Sequence, residues 1–180
     1  MSCFVDVAAP GLFAWLSQTA PSPQRRLLLY LLAADPQRAL ALAELAHALD
    51  LAPVDAGRLL FALNRQAALR IASAAPRPAA RLGLGAALAQ ALQQVTHAGG
   101  AAVLADDAGL LLAQAGCTPQ AAARVAAGLG GALGFVAWRS LHVTPQRLQV
   151  FVAGPVSPQH PAWVLLARQL QRHAGCPAWP

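Results

Sequence analysis

Apolar residues recur at helical spacing through the first third of the chain. Leucines three and four residues apart form one-sided stripes, the pattern of amphipathic helices that pack on a core. Ser22 can cap the first strong stripe, Pro23 suits its first turn, and Asp35-Pro36 ends it. The predicted elements are a packing helix over 11–19, helices over 24–34, 42–49 and 54–66, and a short strand over 69–72.

The pattern changes after residue 85, where short apolar runs alternate with turn residues. Asp106 to Gly109 separates two apolar runs and predicts a β-hairpin, and Thr118-Pro119 starts a long alanine-rich helix. The segment 161–173 fits either a last strand or an amphipathic helix. The other predicted elements are a helix over 86–95, hairpin strands over 101–105 and 110–113, a helix from 118 to about 138, and strands over 140–144 and 147–153.

Two prolines and two glycines without apolar periodicity mark a linker between these parts. The sequence therefore predicts a helical domain over 1–75, a linker over 76–85 and a second domain over 86–180. The expected fold class is α+β, with a helical N-terminal domain and an α/β domain that carries a small, mostly antiparallel sheet.

Composition narrows the class of partner and the compartment. All 13 basic residues are arginines against 7 acidic residues, which gives a net charge of +6. This charge suits a nucleic-acid or acidic protein partner, although an alanine- and arginine-rich chain also results from a GC-rich genome. The three cysteines are far apart, the N-terminus lacks a charged signal start, and charged residues interrupt every long apolar run. We expect a cytoplasmic protein without a membrane span.

The segment 43–53, followed by Leu59, Leu60 and Leu63, resembles the helix-turn-helix of winged-helix domains. The resemblance covers about residues 24–75. It implies that Ala46 lets two helices cross closely, that Leu51 fills the turn, and that the next helix can enter a DNA major groove.

The presumed reading helix is poor in groups that would bind DNA. Asp55 lies near its N-terminal end, where phosphates would lie, and a long basic wing is missing. A protein-docking role is therefore favoured over DNA binding. The residues that would contact DNA in the alternative are Arg58, Asn64, Arg65 and Gln66.

The segment 102–116 resembles the roadblock family of dynein light chains and bacterial GTPase regulators. An apolar strand, an acidic turn with glycine, a second apolar strand and a long alanine-rich helix carry the resemblance, which covers about residues 86–170. It implies a five-stranded sheet with helices, dimerised through an edge strand and the long helix, and no active site. Family members act as adaptors or as partners of small Ras-like GTPases.

Small residues four apart on the long helix and valines on a late strand predict the contact of a two-fold homodimer. Four-residue spacing would let a second helix approach closely, and a strand that is apolar on both faces needs more cover than one helix layer gives. The predicted interface residues are Ala122, Ala126, Gly130, Gly134, Val150 and Val152.

Candidate catalytic chemistry is weak throughout the sequence. The five histidines are scattered, Asp106 and Asp107 suit a turn, and the glycines of 128–134 precede no Gly-Lys-Ser/Thr. A helix start beside Cys117 would lower its thiol pKa, but the residue has no companion histidine or cysteine. We predict no catalytic residue, no metal ligand and no cofactor.

Two functions remain after these exclusions. The first is a non-enzymatic regulatory adaptor that forms a homodimer and binds a protein partner, with a small Ras-like GTPase as the candidate. The second is a winged-helix transcriptional regulator that binds DNA.

Overall fold

The computed structural model describes residues 3–76, 82–96, 99–143 and 147–173. Over these ranges the chain forms seven α-helices and two antiparallel sheets, so the α+β class is confirmed. The helices are Ala9–Leu16 (α1), Pro23–Ala33 (α2), Leu42–Leu49 (α3), Pro53–Arg65 (α4), Leu84–Val95 (α5), Pro119–Arg124 (α6) and Ala162–His173 (α7). The strands are Phe4–Val7 (β1), Leu69–Ala72 (β2), Ala101–Asp106 (β3), Leu111–Ala115 (β4), Val136–Leu141 (β5) and Leu148–Ala153 (β6).

Helices α2, α3 and α4 begin and end close to the residues that the sequence singled out, whereas α1 covers Ala9–Leu16 and not the predicted 11–19. The Ser22 hydroxyl accepts the N–H of Arg25 at 3.1 Å and caps α2, with Pro23 in its first turn. Asp50 adopts a left-handed conformation (φ 54°) after α3 and turns the chain toward α4. The predicted helices over 24–34, 42–49 and 54–66 and the strand over 69–72 are confirmed to within a residue or so.

Strand β1 was not predicted. It pairs antiparallel with β2, with Phe4 opposite Ala72 and Val7 opposite Leu69. On its other side, the N–H of Leu40 donates to the carbonyl of Cys3 at 2.8 Å. The N-terminus thus supplies a strand to the helical part.

The second sheet has the strand order β4-β3-β6-β5, all antiparallel. One face of β6, which carries Leu148, Val150 and Val152, is buried in the main core with α5 and α7. The opposite face, with the half-buried Phe151, belongs to a smaller core that includes Ala122 of α6. The resemblance implied five strands, whereas the described residues form four in this sheet.

The long helix predicted from 118 to about 138 is wrong. Helix α6 ends at Arg124, a π-helical turn covers Val125–Leu129, and a 3₁₀ turn covers Gly131–Leu133. Gly128 (φ 89°) and Gly134 (φ 76°) adopt conformations that a right-handed helix excludes, and glycine takes them without steric cost. Strand β5 therefore begins where the helix was expected to continue.

The segment left open between strand and helix is helical. Helix α7 buries Trp163, Leu166 and Leu170, which lie three and four residues apart, on the main core. Within the described ranges, no helix is long and apolar enough to cross a membrane.

Helix α7 also packs on α1 and α2, so the N-terminal and C-terminal parts share one hydrophobic core. The Trp163 ring stacks on Trp138 of β5 at 5.0 Å between centroids, and Phe13 of α1 meets both rings edge-on. Arg168 donates to the Asp6 carboxylate at 2.7 Å. The linker 76–85 lies partly outside the described residues, and the division into two domains stays a prediction.

Candidate docking surfaces

The outer face of α4 exposes large apolar side chains. Val54 and Phe61, seven residues apart and hence on one side of the helix, have exposed fractions of 64% and 63%. Leu42 of α3 is 42% exposed, and its side chain lies over Gly57 in the middle of α4, within 3.9 Å of the position that a β-carbon would take. Together Leu42, Val54 and Phe61 form an apolar patch, which we call the α4 patch.

The residues that would contact DNA all lie on the exposed surface of α4 or directly after it. Arg58, Asn64, Arg65 and Gln66 are solvent-accessible. Arg58 donates to the carboxylate of Asp55 at 3.2 Å, so part of its charge is already compensated within the helix. Phosphate binding by α4 would therefore compete with an existing ion pair.

The charge of the chain is divided unevenly between its two parts. Residues 1–76 contain six arginines and five acidic residues, whereas residues 77–180 contain seven arginines and two acidic residues. Arg25, one of the six, is buried and donates to the carbonyl of His142 at 2.6 Å. The N-terminal part as a whole thus has a net charge close to zero.

Most of the predicted dimer-interface residues are inside the single chain. Ala122, Val150 and Val152 are at most 3% exposed, and Ala126 and Gly130 are also buried. A β-carbon on Gly130 would meet the side chains of Phe135 and Val125 at 3.4 Å, so its small size serves internal packing. Of the six residues, Gly134 alone is on the surface, and a second copy would have to bind elsewhere.

Two exposed leucines of the C-terminal part lie in turns outside α6. Leu129, in the π-helical turn, is 53% exposed, and Leu110, in the β3–β4 turn, is 61% exposed. The two turns touch, since a β-carbon on Gly109 would lie 3.1 Å from the carbonyl oxygen of Ala126. Leu110 and Leu129 are thus exposed on two turns that touch, and we call these two residues the α6 patch.

Burial accounts for most of the pKa shifts among the titratable side chains. Burial raises the pKa of the Cys117 thiol, contrary to the lowering considered from the sequence. Burial, and then the positive charges of Arg25 and Arg147, lower the pKa of His142. Among the residues whose positions are described, no group of three histidine, cysteine or acidic side chains is placed to bind a metal ion.

A shallow depression of about 250 Å³ lies between the β3–β4 turn and the start of β6. Asp106 and Asp107 line one side, and Arg147 and Gln149 line the other. The Asp106 carboxylate accepts the N–H of Leu110 at 2.7 Å, which confirms its role as a turn residue. The depression therefore does not bring two free carboxylates together for acid–base chemistry.

No protein-family model, no curated protein and no solved structure matches the chain. The exposed surfaces described above are therefore the basis for assigning a function.

Proposed function

We propose that the protein is a non-enzymatic regulatory adaptor that acts in the cytoplasm, forms a homodimer and binds a protein partner. A small Ras-like GTPase is the partner class suggested by the roadblock resemblance. The observation that carries the proposal is the α4 patch. A helix that reads DNA presents polar and basic side chains to the groove. The outer face of this helix instead alternates the apolar Val54 and Phe61 with Arg58 and Arg65, and Arg58 is already paired with Asp55.

Apolar side chains exposed on neighbouring helices are typical of protein-binding surfaces. The near-neutral charge of the N-terminal part supports the same interpretation, because DNA binding depends on several unpaired basic groups. An exposed aromatic side chain within such a patch is the kind of residue that dominates binding energy. Phe61 is the residue of the α4 patch that meets this description.

Replacement of Phe61 by serine tests the proposal. We expect capture of at least one protein from nuclease-treated native lysate on the immobilised wild-type chain, and about tenfold weaker capture on Phe61→Ser. The matched control is Leu165→Ser, since Leu165 is 40% exposed on α7, away from the patch. Quantitative mass spectrometry of the retained proteins gives the measurement. Equal retention by both variants, or loss of all retention after nuclease treatment, would contradict the docking role.

The homodimer is proposed to form through the α6 patch, because Leu110 and Leu129 leave apolar area uncovered there. We expect light scattering after gel filtration to give twice the mass of one chain, and Leu129→Asp to give a monomer. Leu165→Asp, which places the same charge on another exposed leucine, should leave the dimer intact. Substitution of Gly130 is a poorer test, since a larger side chain there would first disturb Phe135. A wild-type monomer at micromolar concentration would refute this part of the proposal.

The alternative function, a DNA-binding transcriptional regulator, is favoured by one observation. Helices α3 and α4 are joined by a turn of three residues with a left-handed Asp50, and Asn64, Arg65 and Gln66 stay accessible at the end of α4. A dimer would present two such helices to DNA.

A further inference from the structure

The outer edge of β5 is open. The strand is last in the sheet order, and the described residues place no backbone hydrogen bond on the side of Val136–Leu141 that faces away from β6. The edge closes directly after the strand, where the N–H of His142 donates to the carbonyl of Leu16 and its own carbonyl accepts from Arg25. In an antiparallel strand, every second residue directs its N–H and C=O outward, so this edge offers backbone groups to a further strand.

Two exposed arginines flank this edge, one on each face of the sheet. The Arg139 guanidinium lies 5.6 Å from the centroid of Trp138, whose ring packs toward α1 and α7. Arg147 lies on the opposite face and donates to the Ser140 hydroxyl from Nε at 3.1 Å and from Nη2 at 2.9 Å. A third hydrogen bond joins Nη2 of Arg147 to the Gln149 side-chain oxygen at 3.3 Å. The Arg147 side chain thus extends from the start of β6 to Ser140 on the edge strand.

Neither arginine forms a direct ion pair among the described residues, although Arg147 faces Asp106 and Asp107 across the shallow depression that these residues line. None of the three salt bridges found among the described residues includes Arg139 or Arg147. Residues 77–180 contain two carboxylates, Asp106 and Asp107, and Asp106 is engaged in its turn. The positive charge of Arg147 also contributes, after burial and Arg25, to the lowered pKa of His142.

A second copy of the chain fits this edge poorly. Antiparallel pairing of β5 with its own two-fold mate would bring the two Arg139 side chains close to the axis, where like charges repel. The register shift between Ala137 and Arg139 also bends the strand, which disfavours a flat joint of two identical edges. Nucleic acid fits poorly as well, since two arginines would neutralise few phosphates and the open backbone groups would gain no partner.

We propose that the outer edge of β5 binds an extended acidic segment of a partner protein, which adds to the sheet as a strand. Neighbouring residues of the added strand point to opposite faces, so adjacent carboxylates meet Arg139 on one face and Arg147 on the other. An apolar residue of the segment covers Val136, which is 62% exposed. This site is separate from the α4 patch and goes beyond the docking role proposed above.

The test uses the full chain and a labelled, terminally blocked peptide of sequence Val-Glu-Glu-Val-Glu-Glu-Val, with a Gln-for-Glu peptide as the neutral match. We expect the acidic peptide to bind about tenfold more tightly than the neutral one, and Arg139→Gln and Arg147→Gln each to weaken binding about threefold to fivefold. Arg70→Gln, at an exposed arginine on β2, should leave binding unchanged. Arg139→Gln is the decisive variant, because the described contacts give its side chain no hydrogen bond within the chain that the substitution would break.

Hydrogen exchange distinguishes strand addition from charge attraction alone. The peptide should slow amide exchange within Val136–Leu141 in the wild-type chain. Equal binding of the two peptides, binding without slower exchange at β5, or tighter Arg139-dependent binding of a 20-nucleotide single strand would overturn the proposal. Protection of β5 that grows with protein concentration in the absence of peptide would also overturn it, since a second copy would then cover the edge. Capture through Phe61 is measured separately, so failure here leaves the adaptor proposal standing.

Discussion

Trp163→Ala is expected to destabilise the folded chain by about 3–5 kcal/mol, which is the range for removal of a fully buried aromatic side chain. Trp163 is 0% exposed and stacks on Trp138, and its indole N–H donates to the carbonyl of Ser157 at 2.9 Å. Because its contacts reach α1, β5 and α7, the loss should weaken the N-terminal and C-terminal parts together. Chemical denaturation followed by circular dichroism measures the effect.

The matched variant is Trp163→Phe, which keeps an aromatic ring but leaves the Ser157 carbonyl without its donor. We expect a smaller loss of about 1–3 kcal/mol. A single cooperative transition in all three proteins would agree with one shared core. Two transitions, with the mutation affecting the C-terminal part alone, would show that the packing of α7 on α1 and α2 contributes little.

Gly11→Ala is expected to destabilise the protein by about 3 kcal/mol. A β-carbon at Gly11 would overlap Cα and Cβ of Ala68, at the point where α1 crosses the start of β2. A hydrogen bond from the Ala8 N–H to the Ala68 carbonyl, at 2.9 Å, holds the start of α1 against Ala68. The two segments therefore cannot move apart to make room for the β-carbon without breaking this bond.

Gly57→Ala is the matched control, since it makes the same chemical change within a helix. The nearest atom to a β-carbon at Gly57 is Cδ2 of Leu42 at 3.9 Å, an ordinary contact distance. This variant should gain about 0.5–1 kcal/mol from helix propensity. Opposite signs for the two substitutions in thermal unfolding are the expected result, and destabilisation by both or by neither would contradict the packing at Gly11.

The elements that the sequence predicted well combine strong periodicity with local end signals. Helix α2 has a leucine stripe, a serine cap and a stopping proline, and its bounds follow from those residues alone. Strand β1 could not be predicted in this way, because the four residues Phe4–Val7 are too few to show a clear alternation of apolar and polar positions. Their partner strand β2 also lies more than sixty residues away in the sequence. Pairing at that separation is a tertiary property.

The long helix was wrongly predicted because alanine and leucine spacing continues past Arg124 while the backbone does not. Glycines at 128 and 134 were interpreted as small packing residues on a helix, whereas their positive φ angles end helical structure. The predicted dimer contact depended on that helix and on a late strand, but five of its six residues, all except Gly134, are buried within the single chain. The α6 patch depends on contact between two turns that are distant in the sequence, which periodicity does not predict.

The candidate docking surfaces were predictable in part. Leu59, Leu60 and Leu63 marked the inner face of α4, so the accessibility of Arg58 and Arg65 followed from helical periodicity. The exposure of Phe61 depends on the position of α3, which periodicity does not supply. The hydrogen bonds between Arg147 and Ser140 across the β5–β6 hairpin likewise depend on the register of the two strands.

We propose that α4 docks protein and does not read DNA. Fluorescence anisotropy of a labelled 20-base-pair duplex, measured across a series of salt concentrations, tests this proposal most directly. We expect weak binding at moderate salt, and nearly the same affinity and salt dependence for the wild-type chain and for the double variant Arg58→Ala/Arg65→Ala. The contrary result is a large loss of affinity in the double variant, together with a plot of log binding constant against log salt concentration whose slope is smaller in magnitude by about two. That result would show that these arginines bind phosphates and would favour the DNA-binding function instead.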